Sequence, residues 1–193
     1  MNGFSFYLNF GFDHILDMDA LDHIAFLVAL CAIYNFRQWK TLLVLVTAFT
    51  IGHSITLGLA ATDTLRFKKE WIEFLIPVTI LLTALHNVFR KGAIESASAK
   101  DNYLLALGFG FIHGMGFSNT LKSMLMPGEE SQFIQQLLAF NIGVELGQLI
   151  IVGIILAITY LALDIFKVKQ RDWNLFVSGA AAGVAVVLIL GRF

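Results

Sequence analysis

Residues 133–163 read FIQQLLAFNIGVELGQLIIVGIILAITYLAL. A helix needs about 20 predominantly apolar residues to cross the roughly 30 Å hydrocarbon core of a bilayer. This run exceeds that length, so a helix built from it tilts or protrudes. Working outward, apolar segments of similar character recur at about 20–36, 41–62, 71–89, 103–125 and 173–191. The composition agrees: 58% of the 193 residues are hydrophobic and 14% are charged, where a soluble domain has about a quarter charged. The expected fold is all-α, a polytopic transmembrane helical bundle of about six spans. It forms a single integral-membrane domain over residues 1–193, with the lipid bilayer as its main partner.

The stretch FSFYLNFGFDHIL, residues 4–16, is apolar but short and broken by Asp13 and His14. It predicts an N-terminal interfacial or re-entrant helix. The first ten residues hold no Lys or Arg, so they lack the charged start of a secretory signal. Pro77 falls inside the third span and predicts a kink. RKGAIESASAKDN, residues 90–102, and MPGEES, residues 126–131, read as loops. Eight Lys and Arg lie in or beside the 1–2, 3–4 and 5–6 connectors and five on the other face. By the positive-inside tendency both termini face outward, in what is expected to be a bacterial inner membrane. No clear internal repeat is visible.

The sole cysteine, Cys31, excludes an intrachain disulfide and a cysteine-cluster metal site. No phosphate-binding Gly-rich loop is present. No nucleic-acid partner and no enzymatic activity are expected.

Ionisable groups are expensive inside a membrane and usually face a pathway or a site. Asp13, His14, Asp17, Asp19, Asp22 and His23 are packed into eleven residues at the first span's entrance. Further along come His53, with Thr50 and Ser54 beside it, and His113 between Gly110 and Gly114. Asn141, Glu145 and Gln148 form one polar stripe on the fifth span. Imidazoles and carboxylates suit nickel, cobalt, zinc or ferrous iron, and the absence of thiolates argues against copper(I). The expected arrangement has an outer capture site of Asp13, His14, Asp19, Asp22 and His23, then a midplane site of His53, His113 and Glu145. Asn141 and Gln148 support the midplane site, and Glu145→Gln is expected to abolish metal accumulation. Glu73 and His86, near the two ends of the third span, are secondary candidates. The pairs Gly110/Gly114 and Gly143/Gly147 let helices approach closely, within one bundle or between copies in a homo-oligomer.

GFDHILDMDALDHIAF, LVTAFTIGHSITLGLA, FGFIHGMGFS and LLAFNIGVELGQ resemble, in order, four blocks of the HupE/UreJ family of membrane proteins, over about residues 10–155. That family is associated with nickel or cobalt uptake. The resemblance implies a small permease for a divalent metal ion, with His14, Asp22, His23, His53, His113 and Glu145 at the positions of the family's polar residues. Glu145 and His53 are expected to lose protons as metal binds, which would couple uptake to protons. A looser similarity to nickel/cobalt transporters has Asp17 where those proteins carry a His, and a carboxylate is the harder ligand. The residues alone also admit an intramembrane metal-dependent hydrolase or a haem-binding electron carrier.

Overall fold

The computed structural model describes residues 3–17, 21–90, 99–124 and 132–192. Among these are α1 (Gly3–Leu16), α2 (Leu21–Cys31), α3 (Trp39–Ala61), α4 (Lys69–Phe89), α5 (Ala99–Met124), α6 (Phe133–Tyr160) and α7 (Gln170–Leu190). No strand occurs among the described residues. A π-helical segment, Leu161–Ile165, extends α6, so the longest apolar run is also the longest helix. Five helices are long and apolar enough to cross a membrane, and α2 is a shorter apolar one. The expected helical membrane bundle is what the structure shows. α5 starts within the stretch expected to be a loop, while residues 91–98 and the MPGEES loop lie outside the described residues. Helix α4 continues through Pro77.

α6 shows why these helices suit lipid. Ile142, Leu146, Ile150, Ile154 and Ile158 recur every fourth residue and are exposed, whereas Asn141 and Gln148 are buried. A helix with its apolar stripe outward and its polar stripe inward is stable only where the surroundings are apolar.

Two helix pairs hold the bundle. α5 runs beside α3 in the same direction, with Gly110 against the Phe49 carbonyl, Gly52 against the Leu107 carbonyl and Gly114 against that of His53. A Cβ at any of these glycines would collide with backbone oxygen. α1 runs beside α6 in the same way, with Gly11 against the Phe140 carbonyl, Gly143 against that of Leu8 and Gly147 against Ile15. The small-residue pairs in the fourth and fifth spans are thus used inside the bundle.

The two pairs are copies. Leu8, Phe10, Gly11, Phe12 and His14 of α1 recur with the same spacing as Leu107, Phe109, Gly110, Phe111 and His113 of α5. Ala48-Phe49-Thr50-Ile51-Gly52 of α3 recurs as Ala139-Phe140-Asn141-Ile142-Gly143 of α6. Equivalent glycines meet equivalent carbonyls. α3 and α6 cross antiparallel: Thr47 meets Glu145, His53 meets Asn141 and Gly58 lies against Leu137. One pair therefore runs opposite to the other, which makes an inverted repeat. This corrects the expectation of no repeat. The repeat is hard to see in the chain because each Phe-Gly-Phe-x-His helix packs on the Ala-Phe-x-Ile-Gly helix of the other half.

The short N-terminal helix has a specific place. Like α6, beside which it lies, α1 is antiparallel to α3. α2 is also antiparallel to α3, since His23 faces His53 and Phe26 stacks on Phe49. α1 and α2, of 14 and 11 residues, therefore run in the same direction, each too short to cross a bilayer alone, and His14 and His23 lie side by side where the passage is interrupted.

One end of α3 is clamped electrostatically. Asp63, at φ 58° in the left-handed region, pairs with Lys122 of α5 and with Arg66. The hydrogen bond from Lys122, helped by the charges of Lys122 and Arg66, holds its carboxyl below the ordinary 3.8. Stabilisation from a depressed carboxylate exists above its unfolded value and is lost as pH falls through the folded one. Lys122→Met should lower the melting temperature near neutral pH and leave it unchanged at about pH 2, measured by thermal unfolding in detergent.

Candidate metal centre

Four histidines from four helices meet inside the bundle. His14 comes from the last turn of α1 and His23 from the first turn of α2, on either side of the interruption. His53 comes from α3 and His113 from α5, beside the glycine contacts that bring those helices together. Ring centroids lie 4.7 Å apart for His14 and His23, 5.3 Å for His23 and His113, and 6.3 Å for His23 and His53. Ligand nitrogens of His14, His23 and His53 all fall within 4.8 Å of one another, the one such group among the described residues. His23, His53 and His113 are buried.

Hydrogen bonds fix which nitrogen three of the four rings present. His23 Nδ1 donates to Asp22 Oδ1 at 3.0 Å, and the same carboxylate accepts from the His23 backbone N–H at 2.8 Å. His53 Nδ1 donates to Asn141 Oδ1 at 3.3 Å, and Asn141 Nδ2 is anchored on the Leu137 carbonyl. The Thr79 hydroxyl donates to the Ile76 carbonyl, so it faces His113 Nε2, 3.4 Å away, as an acceptor. The remaining nitrogens, Nε2 of His14, His23 and His53 and Nδ1 of His113, are buried without a hydrogen-bond partner among the described residues. Unpaired buried polar atoms cost about 1–3 kcal/mol each, which makes the four together a candidate ligand site. Metal-bound histidines characteristically donate their other N–H to a carboxylate, carbonyl or similar acceptor. Asn141→Leu should therefore weaken metal binding about 10–100-fold with helix content unchanged; equal affinity in a metal titration would remove Asn141 from this role.

Aromatic rings wall the cluster. Phe117 lies on His14 with centroids 3.8 Å apart, Phe140 stacks on Phe117, and Phe49 and Phe26 pack on His113. On the His14 side a cavity of about 450 Å³ is lined by Asp13, His14, Asp17 and Phe117.

The outer and midplane sites expected from the sequence are thus one cluster, which unites His14, Asp22 and His23 with His53 and His113. Asp13 and Asp17 line its approach; Asp19 lies outside the described residues. Gln148 is buried and accepts from Thr50 at 2.9 Å, about two turns along α6 from Asn141. Glu145 is not brought to the histidines: it is half-buried at the periphery and accepts from the exposed Thr47 at 2.7 Å. Glu73 pairs with Lys69 and Arg192. His86 is exposed at the opposite end of the bundle, where it lines a second cavity. Thr79, Phe117 and Phe26 were not singled out in the sequence. Thr79 carries no signal of its own, but aligning the two Phe-Gly-Phe-x-His motifs pairs His14 with His113.

No curated protein and no solved structure matches the chain. The family model described as HupE / UreJ protein matches residues 1–191, so this integral membrane protein belongs to the HupE/UreJ family, a transporter-type family associated with nickel and cobalt uptake.

Proposed function

We propose that the chain is a permease for a divalent transition-metal ion, nickel or cobalt before zinc, which it binds during passage through the four-histidine cluster. The carrying observation is that four helices each deliver a buried imidazole nitrogen with no partner, three of them with the opposite nitrogen already engaged. An all-nitrogen set of this kind suits late first-row divalent ions. Asp13 and Asp17 concentrate cations at the mouth, and His14, half-exposed there, receives them. Asp22, Asn141 and Thr79 keep the rings in the binding tautomer. Any proton held by a ring must leave as metal binds, which gives a route to proton coupling. The Lys/Arg bias favours an outward-facing Asp13 mouth, so in uptake the ion enters there.

The test is metal uptake by the full chain in liposomes, with and without a pH gradient, beside elemental analysis of the purified protein. Saturable uptake of nickel or cobalt that competes between the two supports the reading. A tightly retained, non-exchanging metal without flux would point to a hydrolase, and a Soret band to a haem carrier.

A further inference from the structure

Two cavities approach the histidines from opposite ends of α5. The first, at Asp13 and Asp17, reaches His14 directly. The second, of about 270 Å³, lies between α2, α4 and α5 and is lined by Tyr34, Thr83, His86, Asn102 and Phe109 among others. None of the four clustered histidines lines it. Phe26 stands between. It is fully buried, with its ring 5.9 Å from Phe109, 4.8 Å from Phe49 and 5.4 Å from His113.

The repeat relates these cavities. Phe10 lines the first and Phe109 the second, and both open the Phe-Gly-Phe-x-His motif, four residues before its histidine. Because the halves run in opposite directions, equivalent positions face opposite ends of the bundle. Inverted repeats of this kind support transport by letting the halves exchange roles around a fixed site.

We propose that the His86 cavity is the second mouth of the metal path, the counterpart of the Asp13 mouth, and that Phe26 and Phe109 are the gate that closes it in the conformation described. An apolar constriction of this kind blocks ions by excluding water. Its wall is mostly apolar, but His86 and the Asn102–Tyr34 pair, hydrogen-bonded at 2.9 Å, put polar groups on the far side of the gate. The inference rests on the permease reading and adds the closed side and the residues that close it.

The experiment uses the full chain in liposomes with an imposed nickel gradient. Phe109→Ala and Phe26→Ala should each speed dissipation of the gradient by about tenfold or more and make it insensitive to a pH gradient, since the water-excluding barrier is gone. Phe109→Trp should slow flux while metal binding to the purified protein persists. In a Cys31→Ala background, Thr83→Cys should react with a water-soluble, membrane-impermeant thiol reagent from one side of the membrane only. Flux unchanged in both alanine variants, or a cysteine at position 83 that never reacts, overturns the gate. If His53→Ala still stops flux in that event, the permease reading stands. If the unaltered chain neither binds nor moves nickel or cobalt, the site reading fails first.

Discussion

His53→Ala is expected to abolish saturable metal binding, and Glu145→Gln to leave it within about twofold, as distant sites behave independently. His53 is wholly buried and belongs to the three-histidine group, its Nε2 has no hydrogen-bond partner among the described residues, and its Nδ1 is engaged by Asn141. Loss of a group that merely orients a ligand costs about 10–100-fold in affinity; loss of the ligand itself should exceed that. His53→Gln, which keeps most of the volume and a polar tip, separates loss of metal from loss of folding. Glu145 was a ligand candidate in the sequence because a carboxylate in an apolar helix is costly. Its partner is Thr47, on the rim of the α3–α6 contact. Titration of each purified variant with nickel decides the matter. Binding lost in Glu145→Gln and retained in His53→Ala would return the site to the stripe on α6.

Gly110→Val and Gly143→Val are expected to destabilise the bundle by about 3 kcal/mol or more, the upper end of overpacking costs. In both, the new side chain meets a backbone carbonyl, Phe49 or Leu8, which cannot rotate away as a side chain can. The helices must separate, and His113 or His14 moves with them. Gly108→Ala and Gly153→Ala are the controls, because an added Cβ there meets nothing. Replacing a helical glycine by alanine in open space favours the helix by about 0.5–1 kcal/mol. Thermal unfolding in detergent should give opposite signs for the two sets. Similar melting temperatures throughout would show that the close approach is not what holds the pairs.

Much of the fold was legible because lipid imposes one rule, an apolar stretch of sufficient length, and residues 133–163 satisfy it without ambiguity. The glycine pairs and all four clustered histidines also stood out, since each is costly or unusual in such a helix. Their grouping did not. His14 and His23 looked like a separate entrance because they adjoin acidic residues near the start of the chain. Depth was inferred from position along a span, and an interrupted passage upsets that inference: α1 carries His14 inward beside α6 before α2 begins. Glu145 was misplaced for a related reason. Asn141, Glu145 and Gln148 share a broad helical face, yet only the first and last point to α3's buried side, and a periodic pattern does not resolve that difference.

The exchange of helices between halves also bears on how the protein is made. α1, with His14 on it, leaves the ribosome well before α6, but the helix whose carbonyls receive Gly11 begins only at Phe133. Its groove partner does not exist until most of the chain has been inserted. A contact so distant in sequence must wait for loop closure, and an early helix with an unmatched glycine face is a natural client for insertion factors. The arrangement that holds His14 beside the other three histidines is therefore completed only after α6 has been made.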